Sequence, residues 1–154
     1  MAVAEMEQAI EINPNCSLAH GSLATALNFA GQPDAAIRNN EIAIRANPRD
    51  PSIFYRFTGL ALSYLLIGRP REAAAWARKA IQLKPAFLQA HAVLLAALAE
   101  EGETEEAARA LANCLAQRPD ASISALKALP FRLNEHRDRL TRGARAAGLP
   151  EDPV

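Results

Sequence analysis

The sequence predicts an all-α fold: a right-handed solenoid of helical hairpins closed by C-terminal capping helices. Three observations predict it. Pro14, Pro48, Pro85 and Pro119 recur at spacings of 34, 37 and 34 residues. Small residues stand at fixed offsets ahead of them: Ala9, Ala43, Ala80 and Cys114 five back, and Ala2, Ala36, Ala73 and Ala107 twelve back. Gly31, Gly68 and Gly102 lie seventeen ahead of the last three prolines, preceded four back by Leu27, Tyr64 and Leu98 and eight back by Leu23, Leu60 and Leu94. A fixed period of this length is the mark of a repeat array. Half of the 154 residues are apolar but only 5% are aromatic, so the core is built from Ala, Leu and Ile, which suits close-packed helices.

The elements follow in order. Residues 1–14 read as the second helix of a hairpin whose first helix does not precede it. Its apolar face, Ala2, Met6 and Ile10, lacks a preceding partner and is a candidate self-association edge. A natural solenoid carries a polar cap at each end, so this start reads as a fragment, a truncated product or an edge covered by self-association. Full units run over about 15–48, 49–85 and 86–119. In each, a first helix carries apolar residues at helical spacing, such as Phe57, Leu60, Ala61 and Tyr64. A glycine ends it. A proline or polar residue opens the second, as in "GQPDAA", "GRPREA" and "GETEEA". The three extra residues of the middle unit precede Phe57. Asp50 as cap and Pro51 in the first turn predict that they lengthen that helix by about one turn. Residues 120–154 form a helical cap and tail. There "DASISALKAL" is a helix with Asp120 or Ser122 near its cap, broken at Pro130. A final helix is expected to be capped by Asn134 and ended by Gly148 and Pro150. Its sparse apolar residues, Leu140, Ala144 and Ala147, are expected to cover the end of the last unit and turn a basic face outward.

From Ala2 to Pro119 these residues resemble the tetratricopeptide repeat, which implies a tetratricopeptide-type α-α superhelix. The sequence departs from that pattern at His20 and His91, where a large aromatic is usual, at Leu95, where Gly or Ala is usual, and at Asn40, where an apolar residue is usual. Together with the tail segments "ISALKALPFR" and "LTRGARAAGLPE", the chain resembles the C-terminal repeat region of bacterial class III adenylate/guanylate cyclases. Similar tails follow winged-helix DNA-binding heads. The catalytic head is not among these residues, since metal-assisted phosphoryl chemistry needs paired carboxylates on a sheet. The resemblance therefore implies a non-catalytic interaction or regulatory module.

The bulk composition agrees. Lys and Arg balance Asp and Glu, for a formal net charge of zero, which argues against a nucleic-acid binder. No apolar run approaches the ~20 residues of a membrane span, and the N-terminus is no signal peptide. These features point to a cytoplasmic protein, and the Ala and Arg content points to a bacterial source. Cys16 and Cys114 are too far apart in pattern for a disulfide framework. No metal, cofactor or catalytic residue is expected. His20 and His91 occupy equivalent repeat positions and read as packing or hydrogen-bonding residues rather than ligands. Cys114 reads as an inert small residue, and Trp76 as packing between adjacent helices. The tail arginines interleave with Glu135 and Asp138 as a solvated face.

The first helices of successive units line a concave groove. The repeat frame places Leu18, Thr25 and Asn28, then Tyr55, Thr58, Leu62 and Leu65, then Gln89 along it. This lining is narrow, neutral and mostly apolar. It lacks the Lys/Asn/Arg clamp by which chaperone-binding relatives of the resembled family hold a C-terminal carboxylate. It suits a protein or peptide partner, an apolar helix in particular. The other occupant is the chain's own elements. The function read from the sequence is an interaction module, part of or accessory to a cyclase-like signalling protein. The alternatives are a structural homo-oligomerisation unit and an adaptor for a winged-helix regulator.

Overall fold

The structure is a computed structural model and describes residues 3–154. Among the described residues there are nine helices and no strand. They are α1 (Val3–Ile12), α2 (Ser17–Phe29), α3 (Pro33–Ala46), α4 (Ile53–Leu66), α5 (Pro70–Leu83), α6 (Leu88–Glu101), α7 (Thr104–Gln117), α8 (Ile123–Lys127) and α9 (Asn134–Ala146). Helices α2/α3, α4/α5 and α6/α7 are three successive hairpins, preceded by the single helix α1.

One device turns each hairpin. Gly31 (φ 88°) and Gly68 (φ 81°) hold the left-handed conformation, and Gly102 and Gly148 share it. The residue after each glycine donates its N–H five residues back: Gln32 to Leu27, Arg69 to Tyr64, Glu103 to Leu98 and Leu149 to Ala144. These are Schellman closures, which satisfy the last carbonyls of the helix. Leu27, Tyr64 and Leu98 thus recur because they stand at a fixed place in the turn. Pro33 and Pro70 then sit in the first turn of the second helices, where the missing N–H costs nothing.

The alanines close-pack the hairpins: Ala36, Ala73 and Ala77 are fully buried, and Ala43, Ala80 and Cys114 follow them at 1% exposure or less. The continuous core runs from α4 through α6 into the tail, gathering Leu65, Val93, Leu95, Ile123, Leu126, Phe131 and Leu140. Trp76 packs against that core, its ring 5.4 Å from Phe57 with Lys79 above it.

Three local expectations are corrected. The extra residues of the middle unit do not lengthen its first helix by a turn. α4 has 14 residues, as α6 does, and the insertion mostly forms a separate turn over Pro51 and Ser52. Asp50 does not cap α4. Its carboxylate accepts from the backbone N–H and the hydroxyl of Ser52, both at 2.8 Å, which folds that turn and lowers its pKa. Asn134 is likewise the first helical residue of α9 rather than its cap, and accepts from Arg137. Ser122 does cap α8, accepting from the Ala125 N–H at 3.2 Å.

The largest difference concerns α9. A further first helix would pack on α7, as α4 packs on α3 and α6 on α5. Instead α9 packs chiefly on α6, with lesser contact to α4 and α8. Its course is fixed by six meetings. The Arg132 N–H donates to the Phe29 carbonyl at 2.8 Å, and Phe131 meets Phe29 edge-on at 5.0 Å. Leu133 then covers Gly31, and Arg139 bonds Glu100. Gly143 abuts Ala96, and Leu111 approaches Gly148. The tail therefore starts at the end of α2, crosses the ends of the first helices and finishes near α7. It caps the solenoid by lying across those helices, not by extending the stack. The chain then returns to α8, where the Ile123 and Ser124 N–H groups donate to Pro150 and Glu151.

Candidate functional site

Part of the inner face of the three hairpins, chiefly that of α6, is covered by α9. On the open side, α2, α4 and the start of α6 frame a pocket of about 120 Å³. Thr25, Asn28, Tyr55, Thr58, Leu62 and Gln89 line it, together with Phe29, Gly59 and Phe87. Six of the eight groove residues read from the sequence are thus brought together. Leu18 lies outside this lining, 70% exposed on α2. Leu65 is fully buried in the cluster that contains Leu140 and Ala144 of α9, so it is a core residue and not a groove surface.

Hydrogen bonds within the wall fix its shape. Asn28 donates from Nδ2 to the Gly59 carbonyl at 3.0 Å and accepts from Ser63 at 2.6 Å, joining α2 to α4. Thr25 and Thr58 donate back to Gly21 and Phe54 within their helices, which leaves their oxygens free to accept. Phe54, Tyr55 and Phe87 form a ring cluster at the rim, with centroids 4.4 to 5.3 Å apart. No charged residue lines the pocket. The site therefore favours uncharged, partly apolar groups, because an unpaired charge would lose its hydration there. Sequence reasoning missed Phe29, Gly59 and Phe87. The aromatic in the "KPAF" turn was the available signal for Phe87.

Arg56 stands beside this face with its guanidinium over Gly21. Burial lowers its pKa, opposed by Asp50 and Tyr55, and its Nη1 has no partner among the described residues. The two equivalent histidines act as tethers. Nε2 of His20 lies 2.9 Å from the Pro14 carbonyl, and Nε2 of His91 lies 2.7 Å from that of Pro85. Each ties a first helix to the proline turn before it. Burial, aided by Arg118, lowers the His91 pKa against the opposing bond to Pro85. Burial pushes the Cys114 thiol up to about 11, away from thiolate chemistry. Cys16 is half-buried. Among the described residues no three His, Cys, Asp or Glu side chains are grouped to hold a metal ion, and no helix is long and apolar enough to cross a membrane.

At the N-terminal edge, Met6 is buried against the rest of the chain at 5% exposure and Ile10 is half-buried. Met6 therefore does not offer the open face expected of it, because α1 packs it onto α2. Ala2 lies outside the described residues. Val3 and Ile12, at 46% and 79%, are the large exposed apolar residues of α1. In the tail, Arg139 binds Glu100 and Arg145 binds Glu151, so the basic face is partly neutralised.

Fold and site together define a helical-hairpin repeat protein with a partly covered inner face. Residues 57–87, which span most of the middle hairpin, match the tetratricopeptide repeat family model. Two solved structures share the fold over 94% of this chain. One is a crystal structure of MamA, 18% identical with a TM-score of 0.69 over 84% of that chain. The other is YrrB, described as a TPR protein with an unusual peptide-binding site, 20% identical with a TM-score of 0.65 over 74% of that chain. The fold is accordingly a tetratricopeptide-type superhelix. No curated protein matches the sequence.

Proposed function

We propose that the chain is a non-catalytic protein-interaction module, and that its partner segment is held on the open part of the inner face. The uncharged pocket between α2, α4 and α6 carries this reading, because it collects aromatic and apolar walls beside free hydroxyl acceptors. The peptide-binding site named for YrrB supports a peptide as the class of partner, and the apolar walls of the pocket favour an apolar helix among peptides. In this reading residues 1–119 are the binding solenoid and 120–154 its cap and tail. The tail resemblance supports a place in, or beside, a bacterial cyclase-like signalling protein in the cytoplasm.

Peptides selected against the full chain from a displayed helix library test this. Tyr55→Glu with Gln89→Glu should weaken their binding at least tenfold while the helical circular dichroism is unchanged. Undiminished affinity in that double variant would remove the inner face as the site. A second reading, self-association through α1, is favoured by the exposure of Ile12 and Val3. Sedimentation of the Ile12→Glu chain decides it: a dimer that becomes a monomer supports this reading, and a monomer before and after removes it.

A further inference from the structure

We propose that α9 is a displaceable resident ligand, and that the α6 surface beneath it takes an amphipathic partner helix with a small residue at the crossing point and larger apolar residues beside it. The proposal rests on the inner face being a partner surface, and adds how access to it is controlled.

Four observations carry it. The surface that meets α9 is small and apolar, with Ala96 against Gly143 and Ala99 beside Gly143 and Ala146, on a helix that α4, α5 and α7 bury from its other sides. The helix that covers it is poorly supplied, since the buried residues of α9 are Leu140, Thr141, Gly143 and Ala144, with one large aliphatic among them. The crossing demands a small residue. A Cβ on Gly143 would lie 2.6 Å from that of Ala96 and 2.7 Å from its Cα, closer than any side chain can settle.

The seat is also underfilled. A cleft of about 310 Å³ runs between Ala146 and Ala147 of the tail and Leu98 and Leu111 of the hairpin. Another of about 230 Å³ lies where Gly143 and Ala146 face Ala99. The ion pair from Arg139 to Glu100, at 2.8 and 3.0 Å, is bidentate and half-exposed, and is the chief polar anchor of α9 on α6. With a single large aliphatic on its packed face, α9 depends on that side chain and on a half-exposed ion pair, which marks a segment able to open below the global unfolding limit. A helix carrying leucine where the tail has Ala146 fills the clefts and competes for the seat.

The test is hydrogen exchange by mass spectrometry on the full chain, followed by binding of one probe. The probe is a synthetic peptide of residues 132–149 carrying Ala146→Leu. Amides of α9 should exchange at least tenfold faster than those of α6, and Ala146→Leu in the chain should slow them. Gly143→Leu should free α9 while α4 to α6 stay protected, and should bind the peptide at least tenfold more tightly than the unaltered chain. Should Gly143→Leu unfold the whole protein, Arg139→Glu sets like charges against Glu100 at the surface and serves in its place. Exchange of α9 as slow as that of α6 overturns the displacement. Opened variants that bind the peptide no better overturn the helix-binding surface itself. Binding of library peptides at the Tyr55 pocket would survive either failure.

Discussion

Helices α2 and α6 are the same element of the first and third hairpins, yet they live in different surroundings. Both carry, at the fourth helical position, a histidine tied to the preceding proline turn. Residues 90–98 of α6 are all buried, whereas α2 leaves Leu18 and Thr25 exposed on the inner face. The hairpin geometry is common to both, so the difference comes from their neighbours: α6 is packed by α4 and α5 before it and by the tail across it, whereas α2 has only the lone α1 before it. The tail lies on α6 and only touches the end of α2. In this array exposure is set by those neighbours, the non-repeating segment among them, and the open half is where a partner has room.

The sharpest test of this contrast compares two leucines. Leu140→Ala should cost about 2–5 kcal/mol, because it empties the principal aliphatic contact beneath α9. Leu18→Ala on the open half should stay within about 0.5 kcal/mol. Equal losses in urea melts would mean that α9 does not close the third hairpin as described.

Asn40 tests the junction between the first and second hairpins. Its two amide atoms are buried with no partner among the described residues, packed against Gly59. Asn40→Leu keeps the branched skeleton and removes both orphans, and should raise stability by about 1–2 kcal/mol. A lower thermal midpoint in calorimetry would show that the amide is satisfied and the junction already optimal.

The smallest effect belongs to His91. Its pKa is lowered in the folded chain, so the unfolded chain binds the proton more readily as pH falls. The stability that His91 contributes is complete above about 6.5, the ordinary histidine value, and is lost as pH drops through the lowered one. His91→Gln should therefore lose less stability than the parent between pH 7.5 and 5.5. Parallel urea midpoints across that range would count against a buried neutral imidazole.

The repeat was legible because it depends on local chemistry. Gly68 must take a positive φ, Ala73 and Ala80 must let helices touch, and His91 must reach a carbonyl six residues back. Such constraints leave residue types at fixed places. The course of α9 was not legible, because it depends on surfaces far apart in sequence. Leu140 and Ala144 look too sparse to predict a buried helix. Two signals were nonetheless present. "LQAHAVLLAALAEE" is apolar on every side, as a helix covered all round must be. Gly143 stands inside a helix, where a glycine without a turn to make suggests a close crossing. The three-residue insertion misled because a capping Asp and an Asx-turn Asp look alike until the following Ser52 is placed.

The meeting of Phe29 with the Phe131–Arg132 segment reaches beyond binding. An array of hairpins touching only their neighbours can fold or fray unit by unit. Here a ring contact and a main-chain hydrogen bond join segments about one hundred residues apart in the chain. The first hairpin therefore lacks these contacts until Phe131 and Arg132, far along the chain, have been made. That clasp couples the first hairpin to the segment ahead of α9, and so holds these two distant parts together even where α9 itself opens.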